Sequence, residues 1–258
     1  MAASNLSQEP AVVLHVRPYR ESSSIVQFLT RGQGRVVGVM KGLKRDNPKR
    51  VALQAFSFGT VSYIPRDGLV TVRDFDLGHF IALKGDDLYA GFYVLELLTR
   101  LVPERQSEPL IFTAALKVLE ALEEGDELEP SLRNFEMDLL DHLGFGLDFR
   151  RVAAGSTNIE GAIEPLRLYS YRPNEGFVLV PGAYAGEHSL PRGPGQLLWG
   201  QEILAIAARN FKDLAVRRAA KKILRDALAP ILGDRPLTSR MMHPNSRIVV
   251  DGQEPNRS

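Results

Sequence analysis

Apolar residues in the stretch 11–73 come in short β-branched runs that turn residues separate. This spacing is typical of the short strands of a small β-barrel. Turn clusters whose glycines accept positive φ predict hairpins between the second and third runs and between the fifth and sixth. The six runs are 11–16, 24–29, 35–40, 51–56, 59–64 and 69–73. We therefore expect a closed barrel of five or six strands, of the size that binds oligonucleotides.

Beyond residue 80 the apolar positions repeat with helical spacing. The pattern predicts a first helix that Asp86 caps, a second helix from about Pro109 to Gly125, and a third that begins after Ser131 and is closed by Gly144. Three amphipathic helices in succession indicate a helical bundle.

Glycine and proline are frequent in residues 151–195, where two short strand-like pieces surround 173–175 and predict an irregular β-hairpin. Helical spacing returns at 197–208 and at 214–232. The predicted fold class is α+β, an N-terminal OB-fold β-barrel followed by an α-helical domain with a small β-hairpin insert. The predicted divisions are an OB-fold domain at 1–80, a helical domain at 81–240 with the insert at about 151–195, and a flexible tail at 241–258.

Composition removes several classes of function. The chain has 258 residues, is 44% hydrophobic and contains no cysteine, which excludes disulfides, thiolate nucleophiles and cysteine metal sites. Its five histidines are scattered, so we expect neither a metal nor another cofactor. No apolar run is long enough to span a membrane, and we expect a cytoplasmic protein. Hydrolase, zinc-protease and phosphate-binding P-loop motifs are absent from the sequence, which favours a protein that is not an enzyme.

Charge is segregated along the chain although the net charge is only +1. Residues 11–50 contain nine Lys or Arg against two acids, and residues 209–240 contain nine against three. Between them, residues 74–148 contain seventeen acids against five bases. Two basic segments of this kind are typical of a protein that binds a polyanion, and nucleic acid is the first candidate.

The first basic segment offers cations near the ends of the predicted strands. Lys and Arg bind phosphates without reading bases, and an aromatic residue beside them can stack on a base. Tyr19 is such a residue, although packing against Pro18 explains it equally well. The candidate nucleic-acid ligands of this segment are Arg17, Arg20, Arg35, Lys41, Lys44 and Arg45.

The second basic segment lies on the last predicted helix. Its spacing places Arg217, Lys221 and Arg225 on one face at i, i+4 and i+8, with Arg218 and Lys222 beside them. Like charges at this spacing repel each other, so the face is expected to have an anionic partner. A solvated basic face is the alternative. Arg240, in the same segment, completes the set of candidate nucleic-acid ligands.

Five stretches of the sequence are distinctive when they are taken together in chain order. They are VLHVRPYRESSSIVQFLTRGQGRVVGVMKGLKR, LQAFSFGTVSY, LYAGFYVLELLTRL, LRNFEMDLLDHLGFGLDF and RRAAKKILRDALAPILGDRPLTSR. In this order they resemble the RecO family of bacterial recombination mediators. The resemblance extends from Val12 to Arg240, which makes it more specific than any single short motif.

The resemblance implies an N-terminal oligonucleotide-binding barrel followed by a helical domain, without ordinary catalytic activity. It further implies binding to single- and double-stranded DNA, annealing of complementary strands, binding to the acidic C-terminal tail of the single-stranded DNA-binding protein, and work with RecR to load RecA. Many relatives carry a four-cysteine zinc site in the region that matches residues 151–182. Because this chain has no cysteine, it resembles the branch without zinc. An RNA-binding barrel protein of translation or RNA decay is the alternative.

Arg133 matches the part of the helical domain where the resemblance places the pocket for the partner tail. An arginine beside an apolar groove suits a hydrophobic peptide that ends in a free carboxylate, and Leu139 and Leu143 would supply the groove. The alternative is an ion pair on the helix surface between Arg133 and Glu136 or Asp138.

Overall fold

A computed structural model of the chain describes residues 6–43, 49–153, 161–184 and 197–239. These residues form two compact units. The first unit comprises the described residues up to Leu128 together with 235–239, and the second comprises the described residues from Glu129 to Asp234.

The first unit is built on a closed five-stranded barrel with the strand order β1-β2-β3-β5-β4, in which β1 also pairs with β4. Its strands are β1 (Ser7–Tyr19), β2 (Ser23–Thr30), β3 (Gly34–Lys41), β4 (Ser57–Ile64) and β5 (Val70–Phe80). All neighbouring strands are antiparallel except β3 and β5. The predicted closed barrel with an OB-like fold and both predicted hairpins are confirmed.

Alternating apolar residues of the strands fill the barrel. Phe28 and Val61, for example, are fully buried within this core, and burying a side chain of this size stabilises the fold by about 1.5–3 kcal/mol. The barrel closes where Gly38 of β3 pairs with Val70 of β5. A Cβ at Gly38 would overlap the side chains of Val70 and Val72, so glycine allows the two strands to approach.

The run at 51–56 is not a strand, and this prediction was wrong. The short helix α1 (Lys49–Ala52) ends within this run, and the rest of the run forms a turn that leads into β4. Leu53 and Phe56 are buried in this turn, and Phe56 has φ 72°, which a regular β-strand does not adopt.

Two helices complete the first unit, α2 (Gly85–Leu101) and α3 (Pro109–Glu124). Helix α2 packs against β1 and helix α3 against β2, and the rings of Phe56 and Phe92 lie 5.0 Å apart. Helix α3 ends at Gly125 in a left-handed conformation, as predicted. The expected cap of α2 was wrong, since Lys84 is the N-cap residue and Asp86 lies in the first turn.

The second unit contains α4 (Leu128–His142) from Glu129 onward, α5 (Gly200–Ala207), α6 (Leu214–Leu232) and a sheet in the order β7-β6-β8. Its strands are β6 (Arg167–Arg172), β7 (Gly176–Tyr184) and β8 (Leu197–Trp199). The predicted hairpin and the end of α6 before Gly233 are confirmed. Helix α4 begins three residues before Ser131, and 197–199 form a strand where helical spacing was expected.

The predicted fold class is confirmed, because an N-terminal barrel precedes helices and a small sheet. The predicted boundary at residue 80 differs from the compact units, in which α2 and α3 accompany the barrel, and it stays a prediction. Within the described residues, no helix is long and apolar enough to cross a membrane.

Candidate nucleic-acid interface

One end of the barrel gathers exposed cations around the β1–β2 turn. The register pairs Tyr19 of β1 with Ser23 of β2, and Ser23 with Lys41 of β3. Residues paired in this way point to the same face of a sheet, and because Tyr19 and Lys41 are exposed, this is the outer face. Arg17 is exposed two residues before Tyr19, and Arg20 is exposed in the turn itself. The structure thus brings together the predicted ligands Arg17, Arg20 and Lys41.

Arg73 joins this row, although sequence reasoning did not select it. The parallel pairing of β3 with β5 ends at Met40 and Val72, so the next residues on the two strands, Lys41 and Arg73, are neighbours. An irregularity in the pairing of β5 with β4 falls at Arg73, which is exposed. Only the register reveals this neighbour, since the sequence shows Arg73 as the end of an apolar run. We call Arg17, Tyr19, Arg20, Lys41 and Arg73 the basic end of the barrel.

A neighbouring cation is already paired. The Lys49 Nζ lies 2.7 Å from the Oδ1 of Asp74, next to Arg73 in sequence. This hydrogen bond holds the pKa of Asp74 below its usual value. The charge of Lys49 is thereby partly neutralised, whereas Arg50 is exposed on the same short helix.

The opposite end of the barrel holds Arg35, the second residue of β3. Its Nη1 lies 3.0 Å from Oε1 of Glu104, and its Nε donates to the carbonyl oxygen of Val102 at 3.1 Å. The side chain is only 18% exposed. Arg35 therefore fastens the link between α2 and α3 to the barrel, and the structure does not bring it together with the basic end.

The same link covers both turns at this end. The Arg105 guanidinium donates to the carbonyl oxygens of Arg66 and Gly68 in the β4–β5 turn. At the β2–β3 turn, Gly34 has φ 62° and lies so close to the carbonyl of Gln106 that a Cβ would overlap it. At this end Arg35 and Arg105 thus both bind other parts of the chain. The predicted ligands Lys44, Arg45 and Arg240 lie outside the described residues.

Helix α6 presents its cations differently from the predicted stripe. Arg217 is partly buried, and its Nε donates to the carbonyl oxygen of Phe211, so it does not extend into solvent with the others. The Lys221 Nζ lies 2.7 Å from Oε1 of Glu129 on α4. Lys222 lies 3.8 Å from Asp226, one turn along the helix.

Three cations of α6 share one exposed face. Arg218 and Arg225 are exposed, and seven residues correspond to nearly two helical turns, so the two lie on one face with Lys222 between them. This face, defined by Arg218, Lys222 and Arg225, is the α6 stripe. Asp213 caps the helix by accepting from the backbone N–H of Ala215 at 2.7 Å.

Arg133 lies inside the second unit and not on its surface. Its Nη2 is 3.0 Å from Oε1 of Glu136, and the two side chains are 5% and 2% exposed. The alternative predicted an ion pair of Arg133 on the helix surface. Its partner Glu136 is confirmed, but the pair is buried and does not lie on the surface. Among the described residues the Arg133 Nε has no hydrogen-bond partner. Leu139 is fully buried, and Leu143 is half-buried.

Arg209, and not Arg133, forms the ion pair with Asp138 of α4. It adopts a left-handed backbone conformation, with φ 55°, and its guanidinium binds Asp138 and the carbonyl oxygen of Asn134 on α4. Nearby Asp141 has a raised pKa, because burial outweighs the opposing charge of Arg209. The described residues hold no group of three or more His, Asp or Glu that suits a metal ion; the absence of zinc stays a prediction.

Comparison with known proteins agrees with this architecture. The family model described as "Recombination protein O N terminal" matches residues 1–80, and "Recombination protein O C terminal" matches residues 83–241. A DNA repair protein RecO from Cellvibrio japonicus is 34% identical over 90% of this chain and 94% of its own length. The RecO proteins of Haemophilus influenzae strain 86-028NP and Serratia proteamaculans are each 37% identical, over 92% and 90% of this chain and 96% and 91% of their own lengths. The chain therefore belongs to the RecO family of DNA repair proteins.

Proposed function

We propose that this protein is a recombination mediator that binds single- and double-stranded DNA and anneals complementary strands. The observation that carries the proposal is the basic end of the barrel, where four cations surround an exposed tyrosine on an oligonucleotide-binding fold. The α6 stripe supplies a second cationic surface, in the other unit. Neither surface contains a set of nucleophile, acid and base, so the proposed role is binding without catalysis.

The proposal extends to the partners that the family resemblance implies. In it, the protein binds the acidic C-terminal tail of the single-stranded DNA-binding protein and works with RecR to load RecA in the cytoplasm. The tail site would lie at Arg133, Leu139 and Leu143. Because Arg133 is paired with Glu136 inside the unit, the tail carboxylate would have to replace Glu136 as its partner.

Salt dependence of DNA binding tests the two surfaces. For duplex DNA the logarithm of the affinity falls by about 0.9 per logarithmic unit of salt for each phosphate that the protein neutralises. We expect the double variant Lys41→Glu with Arg73→Glu to lower this slope by about two, and Arg218→Glu with Arg225→Glu to do the same. Fluorescence anisotropy of a labelled oligonucleotide over a salt series measures the slope.

Lys117→Glu is the matched control, because Lys117 is an exposed cation of α3 outside both surfaces. Its slope should equal that of the unmodified protein. If both double variants keep the slope of the unmodified protein, neither surface binds DNA and the proposal is wrong. Two further measurements separate the proposal from the RNA-binding alternative. A recombination mediator should anneal complementary DNA strands, whereas an RNA-binding protein should prefer RNA of the same sequence and should not anneal the DNA strands.

A further inference from the structure

A partly exposed aromatic ring lies next to the β1–β2 turn. Tyr19 is the last residue of β1 and is 37% exposed on the outer face of the barrel. The guanidinium carbon of Arg20 lies 5.2 Å from the centre of the Tyr19 ring, within the range of a cation–π interaction. Packing of this kind limits the motion of the ring without burying it.

The backbone of the turn makes this arrangement possible. Arg20 has φ 56°, a left-handed conformation that costs a residue other than glycine about 1–2 kcal/mol. The turn is tied to the chain that follows β3, since the N–H of Leu43 donates to the carbonyl oxygen of Ser22 at 2.9 Å. The turn is thus held by a backbone hydrogen bond, and its left-handed residue is the one whose guanidinium lies over the Tyr19 ring.

The surroundings of the ring are cationic. Adjacent strands lie about 4.8 Å apart, so Lys41, two strands away in the same row, is roughly 10 Å from Tyr19, and Arg73 is one strand further. A nucleic-acid strand that crosses this row can place phosphates on Lys41 and Arg73 and one base on Tyr19. Arg17 precedes Tyr19 on the same face.

We propose that Tyr19 is a stacking surface for one unpaired base and gives the basic end of the barrel a preference for single strands over duplex. The inference rests on the proposed function, because it requires nucleic acid at this end. A ring at the protein surface stacks on a base whose face is free. In a duplex those faces are covered by neighbouring base pairs, and the cations alone make contact.

The test compares single-stranded oligothymidine with a duplex of equal length in the full chain. Base–aromatic stacking of this kind predicts that Tyr19→Ala lowers the affinity for oligothymidine about tenfold and changes duplex affinity less than about twofold. Tyr19→Phe retains the ring and should bind both as the unmodified protein does. Phe80→Ala is the matched control, because Phe80 is 38% exposed at the far end of β5 and should affect neither ligand.

A direct readout is photocrosslinking with oligothymidine that contains 5-iodouracil, which should attach to the peptide containing Tyr19 and not do so in Tyr19→Ala. Loss of affinity that is equal for single strands and duplex, or no loss at all, overturns the stacking role. The double variant Lys41→Glu with Arg73→Glu shows which proposal has failed. If it weakens both ligands, the barrel interface remains and only the stacking is wrong; if it weakens neither, both proposals fail at this end.

Discussion

Glu96 and Arg100 lie one turn apart on α2 and together bind four backbone groups of the segment 235–239. The Glu96 carboxylate accepts from the N–H groups of Thr238 and Ser239 at 2.9 and 2.8 Å. The Arg100 guanidinium donates to the carbonyl oxygens of Arg235 and Pro236 at 2.7 and 3.3 Å. The chain thus returns to the first unit after α6 and is fastened there by two side chains.

Removing one of these side chains should loosen the segment. We expect Glu96→Gln to lower the free energy of unfolding of the first unit by about 2 kcal/mol, because a charged acceptor of two hydrogen bonds is lost. Hydrogen exchange should show faster exchange of the Thr238 and Ser239 amides than in the unmodified protein. Glu120→Gln, at an exposed position of α3, is the control and should exchange as before; unchanged protection in Glu96→Gln would contradict the role of the carboxylate.

The same contact predicts a dependence on pH. Burial raises the pKa of Glu96, but hydrogen bonds from Ser239 and Thr238 and the charge of Arg100 together lower it by more than burial raises it. The pKa of Glu96 therefore lies below the ordinary value of 4.5. A carboxyl group with a lowered pKa stabilises the folded state above its unfolded pKa and ceases to do so as the pH falls through the folded value. The difference in melting temperature between the unmodified protein and Glu96→Gln should therefore be constant above about pH 5 and shrink below pH 4.5.

The sequence predicts the barrel better than it predicts which side chains form the candidate nucleic-acid interface. Alternating β-branched runs with glycine turns define β2, β3, β4 and β5, because local patterning and burial agree there. The run at 51–56 misled because its composition suits a strand, whereas it ends in a turn where Phe56 is buried with φ 72°. Arg73 and Arg35 show a further limit, since which cations share an end of the barrel depends on strand register, and that is a long-range property.

Arg35 should therefore behave as a structural residue and not as a nucleic-acid ligand. Arg35→Gln removes its ion pair with Glu104 and its charged hydrogen bond to Val102, and we expect a loss of about 2 kcal/mol of stability. Lys41→Gln should leave stability within about 0.5 kcal/mol and weaken DNA binding. Urea unfolding and DNA titration of both variants measure the contrast, and stronger loss of DNA binding in folded Arg35→Gln than in Lys41→Gln would refute it.

The buried pair of Arg133 and Glu136 calls for a test that separates stability from tail binding. Removing one partner leaves a buried charge, so Arg133→Ala should destabilise the second unit by about 3–5 kcal/mol. Replacing both residues by Met avoids that charge, and such replacements are often neutral or stabilising. The double variant should therefore melt close to the unmodified protein.

In this double variant the proposed tail site loses its cation while the fold remains. A labelled acidic peptide that ends in Pro-Phe should bind the unmodified protein and bind the double variant at least about tenfold more weakly, since a charge-assisted hydrogen bond contributes about 1.5–3 kcal/mol. DNA affinity, measured in parallel, should not change, because Arg133 belongs to neither cationic surface. Equal peptide affinity in the two proteins would mean that Arg133 serves the interior of the unit alone.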